Sequence, residues 1–434
     1  MVDGPEVGRR GVLPVVFLTL FLDLVGFSIV FPLFAEKLKF YMEREAGQPG
    51  LLHWAMAHLP QASADHQAAL FGGLLGALYA GLQFVAAPMW GRLSDRVGRR
   101  PVLLTSLCGS VLAYVLWVFS ASFTLFLVSR VIAGAMSGNV ATANAAVADV
   151  TTAETRSRGM AAVGMAFGLG FVIGPAIGGL SHSWILGPTA VGGLGLHPFS
   201  GPAAIAAGLA ILNLGLAIFV FPETNPPANR AAVQPGRTVN LVQLLDPKLG
   251  VGVPQLNLAF MFYTLIFSGM ESTLIFLADQ KLGFTPMDLG YLFAGMGLGS
   301  ALVQGLVYRR HAQRFGVRRL GLIGLGCLIP GFVLIGLVDW LPYTWLLIAG
   351  IAMLAASTGL VFPALSTLVS LAGDPQRQGW VMGTFRSSSA FGRAVGPLLA
   401  ANIYFWWRPG GTYVACAVLV AIPLMLVLRL RHLR

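Results

Sequence analysis

Charge is what this sequence lacks. Only 10% of its 434 residues are Asp, Glu, Lys or Arg, against about 25% in soluble domains. Lysine is scarcer still: Lys37, Lys39, Lys248 and Lys281 are all there is. None of them follows a glycine. A loop that cradles phosphate needs Gly-Lys-[Ser/Thr], so an ATP-driven pump is excluded within this chain. Cys108, Cys327 and Cys416 each sit inside an apolar run, so they read as core side chains rather than a disulfide or a metal site. The seven histidines are scattered without ligand spacing, and no nucleophile–base constellation is visible, so neither a metal nor an enzyme is expected. The net charge of +11 is no nucleic-acid footprint either. The arginines fall in short stretches between apolar runs, with no basic face and no interleaved aromatics.

What the chain has is apolar sequence. Hydrophobic residues make up 56% of it, in runs long enough to cross a bilayer from end to end. Twelve candidate spans lie near 12–34, 67–90, 101–119, 122–149, 159–182, 201–221, 254–278, 286–308, 318–338, 343–371, 378–405 and 410–428. The first run is too long for a cleaved signal peptide, holds Asp23 and lacks a small-x-small cleavage site. The stretch that organises the rest is Gly91-Arg92-Leu93-Ser94-Asp95-Arg96-Val97-Gly98-Arg99-Arg100, followed by Pro101. It reads as a short, positively charged loop between two spans, with Pro101 in the first turn of the next helix. With the N-terminus inside, 20 of the 28 basic residues fall on the cytoplasmic side. Only Lys37, Lys39, Arg44, Lys281 and Arg408 fall outside, so both termini are expected in the cytoplasm. Residues 35–66, with Glu36, Glu43, Glu45 and Asp65, make the longest outer segment, and residues 183–200 form a Gly- and Pro-rich outer loop. The Pro-rich segment 222–253 reads as a linker between a bundle at 1–221 and a second at 254–434.

The two halves resemble each other. Arg309 to Arg319 repeats the organising stretch, with Arg96 meeting Arg314 and Gly98 meeting Gly316, while Asp95 meets Gln313. Gly174-Pro175 likewise matches Gly396-Pro397. Similar halves in one bilayer are a sign of alternating access, with the site between them near the midplane.

Three motifs carry a family resemblance. Gly91-x-x-x-Asp95-Arg96-x-Gly98-Arg99-Arg100 resembles the signature loop of the major facilitator superfamily, and Arg130-x-x-x-Gly134 its fourth-helix element. Gly168-x-Gly170-x-x-x-Gly174-Pro175-x-x-Gly178-Gly179 is similar to the fifth-helix motif of its twelve-helix drug:proton antiporters. From Gly91 through Glu223 the run also resembles tetracycline efflux proteins, including Phe221-x-Glu223-Thr224. The resemblance implies an all-α membrane protein of twelve helices in two pseudo-symmetric six-helix bundles. It further implies that Asp95, Arg96, Arg99 and Asp149 form a network closing the cytoplasmic mouth, and that Gly170, Gly174, Pro175, Gly178 and Gly179 seal the cavity against proton leak. One departure stands out. Ala113 occupies the place where the third helix of tetracycline exporters carries an acid, which argues against tetracycline itself.

Six charged residues remain for the chemistry. Asp23 lies near mid-membrane, where a charge costs about 2.5–3.5 kcal/mol on insertion scales and should face a cavity or partner. It is expected to bind substrate or the coupling proton; the bland reading is a bond to a neighbouring helix. Glu271, in the seventh span, is either a second proton carrier or an outer-layer ion-pair partner. Arg386 and Arg393 share one helical face and need anionic partners, which Asp23, Glu271 or an anionic substrate could supply. Arg130 is the expected partner of a proton-carrying acid. Asp95 is read as a gate, against a plain solvated loop. Gln83 and Asn139 are cavity candidates, although inter-helix bonding is the commoner use of such groups.

The expectation is therefore a proton-driven exporter of small amphiphilic organic molecules in a prokaryotic inner membrane. It would work as a monomer embedded in lipid, with no cofactor beyond the proton gradient and no nucleic-acid partner. Uptake symport or facilitated diffusion is the alternative within transport. A membrane sensor or scaffold is the alternative of another class.

Overall fold

The computed structural model describes residues 12–30, 33–45, 50–58, 64–181, 190–191, 194–230 and 244–430. Arg9, Arg10, Arg237, Arg431 and Arg434 lie outside the described residues, as do the side chains of Glu36, Lys39 and Asp65 and the packing around Gly179. The described chain is a multi-pass helical membrane protein. Ten helices are long and apolar enough to cross a bilayer. Two further helices complete the twelve expected spans. Val12–Ser28, the first span, has 17 residues. Gln378–Trp406, the eleventh, is long but polar, with Arg386, Ser387, Ser388, Ser389 and Arg393 on it. All of these but Arg393 are at most 5% exposed. A helix that hides its polar face and turns apolar surface outward suits lipid, where only internal groups can pair with that face.

The spans run as Ala64–Val97 (second), Arg99–Val118 (third), Arg156–Ser181 (fifth) and Ser200–Val220 (sixth). Val253–Leu282, Val317–Leu337 and Thr344–Ala372 are the seventh, ninth and tenth. Three spans are interrupted, which hydrophobicity alone did not foretell. The fourth is Phe123–Ala135 and Asn139–Val150, broken at Met136–Gly138. The eighth, Pro286–Leu302, continues through a π-helical turn at Val303–Tyr308 into Arg309–Phe315. The twelfth divides at Val420 between Pro409–Leu419 and Ala421–Arg429.

Several expectations need correction. The first span stops at Ser28, and Phe34–Arg44 is a separate helix. The Arg-rich stretch is no open loop: helix runs through Val97 and resumes at Arg99, leaving Gly98 alone as the corner. Gly98 has φ 108°, and its counterpart Gly316 has φ 84°, conformations that only glycine takes without strain. The segment before the sixth span carries a two-residue ladder, Ala190–Val191 against Leu194–Gly195. Of the cysteines only Cys416 is buried; Cys108 is exposed. A helix in lipid can face its apolar residues outward, so an apolar run does not place a thiol in the core.

Candidate functional site

Asp23 sits where two small cavities adjoin. One is lined by Asp23, Phe27, Tyr79, Ser110, Tyr114, Arg130, Ser137 and Asn139. The other is lined by Asp23, Phe27, Tyr79, Gln83, Asn139, Arg386 and Arg393. Each lining draws on helices from different parts of the chain, and the break in the fourth span contributes directly. Ser137 and Asn139 come from that break, whose freed carbonyls are taken up by Trp90 Nε1 on Ala135 O at 2.8 Å and by Ser106 Oγ on Met136 O. Irregular backbone at membrane depth persists where it lines a cavity and its polar groups are paired.

The three cavity arginines, Arg130 and Arg386 buried and Arg393 half-buried, are held differently. Arg393 Nη2 donates to Gln83 Oε1 at 2.7 Å. The Arg386 guanidinium lies 5.0 Å from the centre of the Phe167 ring, and its Nε has no partner. Arg130 lies 5.0 Å from the Trp117 ring and 5.5 Å from Phe126, with its Nη2 also unpaired. Among the described residues no carboxylate comes within 4.0 Å of any of the three, so the expected ion pairs with Asp23 and Glu271 are not made. Glu271 lies outside both cavities, within electrostatic reach of Arg393. Orphaned guanidinium N–H groups in a buried site mark where an acceptor belongs.

At the Arg-rich end Asp95, Arg99 and Asp149 are linked by hydrogen bonds. Asp95 is 3% exposed and accepts from the backbone N–H of Gly379 and of Trp380, both at 2.8 Å. These are orphan donors at the start of the eleventh span, so the carboxylate caps that helix and meets its positive end. Arg99 Nη1 reaches Asp95 Oδ1 at 2.6 Å, and its Nε reaches Asp149 Oδ2 at 2.9 Å. Arg96, the fourth residue expected in this network, is half-buried. Glu223 completes the corner by accepting from the backbone N–H of Arg99 at 2.8 Å and of Arg100 at 3.2 Å. A side chain at Gly91 would run into the Gly379 carbonyl, so glycine there sets how closely the second and eleventh spans approach.

The internal repeat appears again at this end, with a weaker contact. Gln313, in the place of Asp95, accepts from Arg158 Nη2 at 3.1 Å and donates to Glu154 O at 2.9 Å. Arg156 Nη1 also bonds Ser370 Oγ. Both pairs of helices are thus pinned here, one by a buried carboxylate and the other by an exposed amide.

The fifth-span glycines pack against the first span. Gly170 lies against Leu24, and Gly174 against Ser28, whose Oγ donates to Gly170 O at 2.9 Å. Gly178 is buried, and the helix passes through Pro175 without interruption.

Sequence reasoning missed three features. Lys37, taken for an outer-loop cation, is 2% exposed, with Nζ 3.5 Å from the Phe126 ring centre and 4.4 Å from Trp117. Burial and the neighbouring Arg130 push its ammonium well below the ordinary lysine range. Asp339, at the opposite end from Asp95, binds Lys281 at 2.8 Å and Arg408 at 3.2 Å. Tyr79 and Tyr114 line the central cavity; nothing in their spacing distinguishes them from lipid-facing aromatics.

Helices wrapped around a charged, buried cavity and pinned at their ends define a membrane transporter rather than an enzyme. The chain belongs to the Major Facilitator Superfamily, whose family model matches residues 15–309 and 256–434. It is 35% identical to the mouse Major facilitator superfamily domain-containing protein 10, over 98% of this chain and 94% of that one. It is 30% identical to the Escherichia coli class C tetracycline resistance protein, over 89% of this chain and 88% of that one. The crystal structure of the human organic anion transporter MFSD10 superposes with a TM-score of 0.86 at 32% identity, covering 98% of this chain and all of that one.

Proposed function

We propose that this protein carries small amphiphilic organic anions across a cellular membrane by alternating access, linked to the proton gradient through Asp23. One observation carries the reading: two buried arginines with unpaired N–H groups, Arg130 and Arg386, and the half-buried Arg393 line small cavities between helices that share one carboxylate, Asp23. An anion supplies the missing acceptors. The kinship to an organic anion transporter and to tetracycline resistance proteins supports the class. The bundles at 1–221 and 254–434 would rock about this centre, joined by the linker 222–253, with each copy of the chain holding a complete pathway. The Arg-rich turns and both termini would face the cytoplasm across a prokaryotic inner membrane, as the distribution of basic residues supports.

Export by proton antiport is the first reading of direction. Charge favours a second. Asp23 and an anion have the same sign and share the same arginines, so a proton on Asp23 strengthens anion binding and the two would travel together. Purified protein in proteoliposomes under an imposed pH gradient separates these. Antiport drives a labelled organic anion to the acidic side, co-transport to the alkaline side. Asp23→Asn should abolish the pH-driven part. Accumulation that ignores the gradient, or that survives in D23N, ends the proton link. Accessibility labelling that put the Arg99 corner on the same side as residues 35–66 would overturn the orientation.

A further inference from the structure

The two cavities meet at a shared wall. Asp23, Phe27, Tyr79 and Asn139 line both, and each cavity then runs to its own arginine. Arg386 and Arg393 line one lobe only, and Arg130 lines only the other. Arg130 and Arg386 are each 5% exposed, and each keeps one buried N–H without a partner: Nη2 of Arg130 and Nε of Arg386. Three guanidinium groups against one carboxylate leave the linings with two positive charges in excess. The Arg130 lobe holds no acid besides Asp23 and is otherwise polar through hydroxyls and an amide, among them Ser110, Tyr114 and Asn139. Asn139 accepts the backbone N–H of Val140 with its oxygen at 2.9 Å, and its amide is a hydrogen-bond partner of Asp23, which ties Asp23 to the wall the two cavities share. Arg130 is itself fixed in place by stacking on Trp117 and Phe126, so it is a preformed donor.

We propose that the transported anion carries two separated acidic groups and lies across Asp23, one group on Arg386 and Arg393 and the other on Arg130. This rests on the reading of the cavity as an organic-anion site and narrows it to dianions. A dianion matches the excess charge and sets one acidic group against the guanidinium of each cavity at once, whereas a monoanion meets only one of them. The aromatic wall of Phe27 and Tyr79, whose ring centres are 5.0 Å apart, covers the apolar middle of such a molecule.

Equilibrium binding to the purified full chain tests this, with straight-chain dicarboxylates from glutarate to suberate, terephthalate, and the monocarboxylates of matching skeleton as probes. The best dicarboxylate should bind at least about tenfold tighter than its monocarboxylate, the worth of one hydrogen bond to a charged group. In Arg130→Gln that ratio should fall toward one, whatever the absolute affinities become. If R130Q does not fold, the ratio in the natural chain and its decrease in Tyr114→Phe decide. Monocarboxylates binding as well as every dicarboxylate would overturn the two-lobed site and leave the organic-anion reading standing. A ratio unchanged in R130Q would remove Arg130 as the second subsite. Failure of both probe classes to bind would overturn the organic-anion reading itself.

Discussion

At the scale of single residues, two carboxylates do comparable work at opposite ends. Asp95 takes two backbone N–H groups of the eleventh span and one arm of Arg99. Asp95→Asn keeps the size but gives up one acceptor and the charge, which should weaken this closure by about 2 kcal/mol. Hydrogen exchange followed by mass spectrometry should then show faster exchange at Gly379 and Trp380 than in the parent; unchanged protection would refute the gate. Asp339 is the counterpart at the other end. Burial works against its charge, but the Lys281 ammonium, the Gly410 N–H and the Arg408 guanidinium outweigh that and hold its pKa below the ordinary 3.8. A depressed acid contributes stability fully above its unfolded pKa and loses it as pH falls through the folded one. Thermal unfolding should therefore lose nothing from this contact between pH 7 and 5. Asp339→Asn should cost about 1 kcal/mol across that range, since both partners are partly exposed. A loss confined to the window from pH 7 to 5 would contradict the assignment.

At the scale of elements, close helix contact depends on what is missing from a side chain. The second and eleventh spans meet at Gly91 and Gly379 with no room for a methyl group on either. Gly91→Ala should hold the two helices apart at the Arg-rich end while leaving each helix formed. Spin labels at Val97 and Gln376, measured by pulsed dipolar spectroscopy, should report a longer mean distance in G91A than in the parent. An identical distance distribution would mean that the backbone yields elsewhere. The break in the fourth span belongs to this scale as well: Trp90 and Ser106 hold the carbonyls that the interruption frees, and so make the cavity wall possible.

At the scale of the whole molecule, the internal repeat is structural but unequal. Asp95 is buried on the eleventh-span terminus, while Gln313 makes an exposed bond to Arg158 near the start of the fifth. Gln313→Glu would place a carboxylate opposite Arg158, a gain of at most about 0.2–1 kcal/mol for an exposed pair, since the amide's bond to Glu154 O is given up. The fraction of molecules open at the Arg-rich end should fall, as read by the same spin-label method with one label on each side of the Gln313–Arg158 contact. A rise in that fraction would show that this contact does not take part in closure. The opposite end is closed by aromatic packing, with the His66 ring stacked 4.8 Å from Phe405. The two ends thus join the bundles by different chemistry: charge and backbone capping at one, ring stacking at the other, where the Asp339 ion pairs stay within the second bundle.

The sequence by itself determined the membrane fold, the twelve spans, the internal repeat and the clustering of Asp95 with Arg99; Asp149 entered only through the family resemblance. These follow from local quantities: hydropathy along the chain, charge between runs, and a motif whose glycines and charges stand close in sequence. It also singled out Asp23, Arg130, Arg386 and Arg393, because a charge inside an apolar run is conspicuous without any structure. Only the tertiary structure decided what those charges meet. Arg393 found Gln83 rather than an acid, Arg386 and Arg130 were left with open donors, and Lys37 moved from a presumed outer loop into a ring-lined interior. Such pairings depend on how helices far apart in the chain rotate and approach, and that is fixed by packing between them, which no run of neighbouring residues encodes.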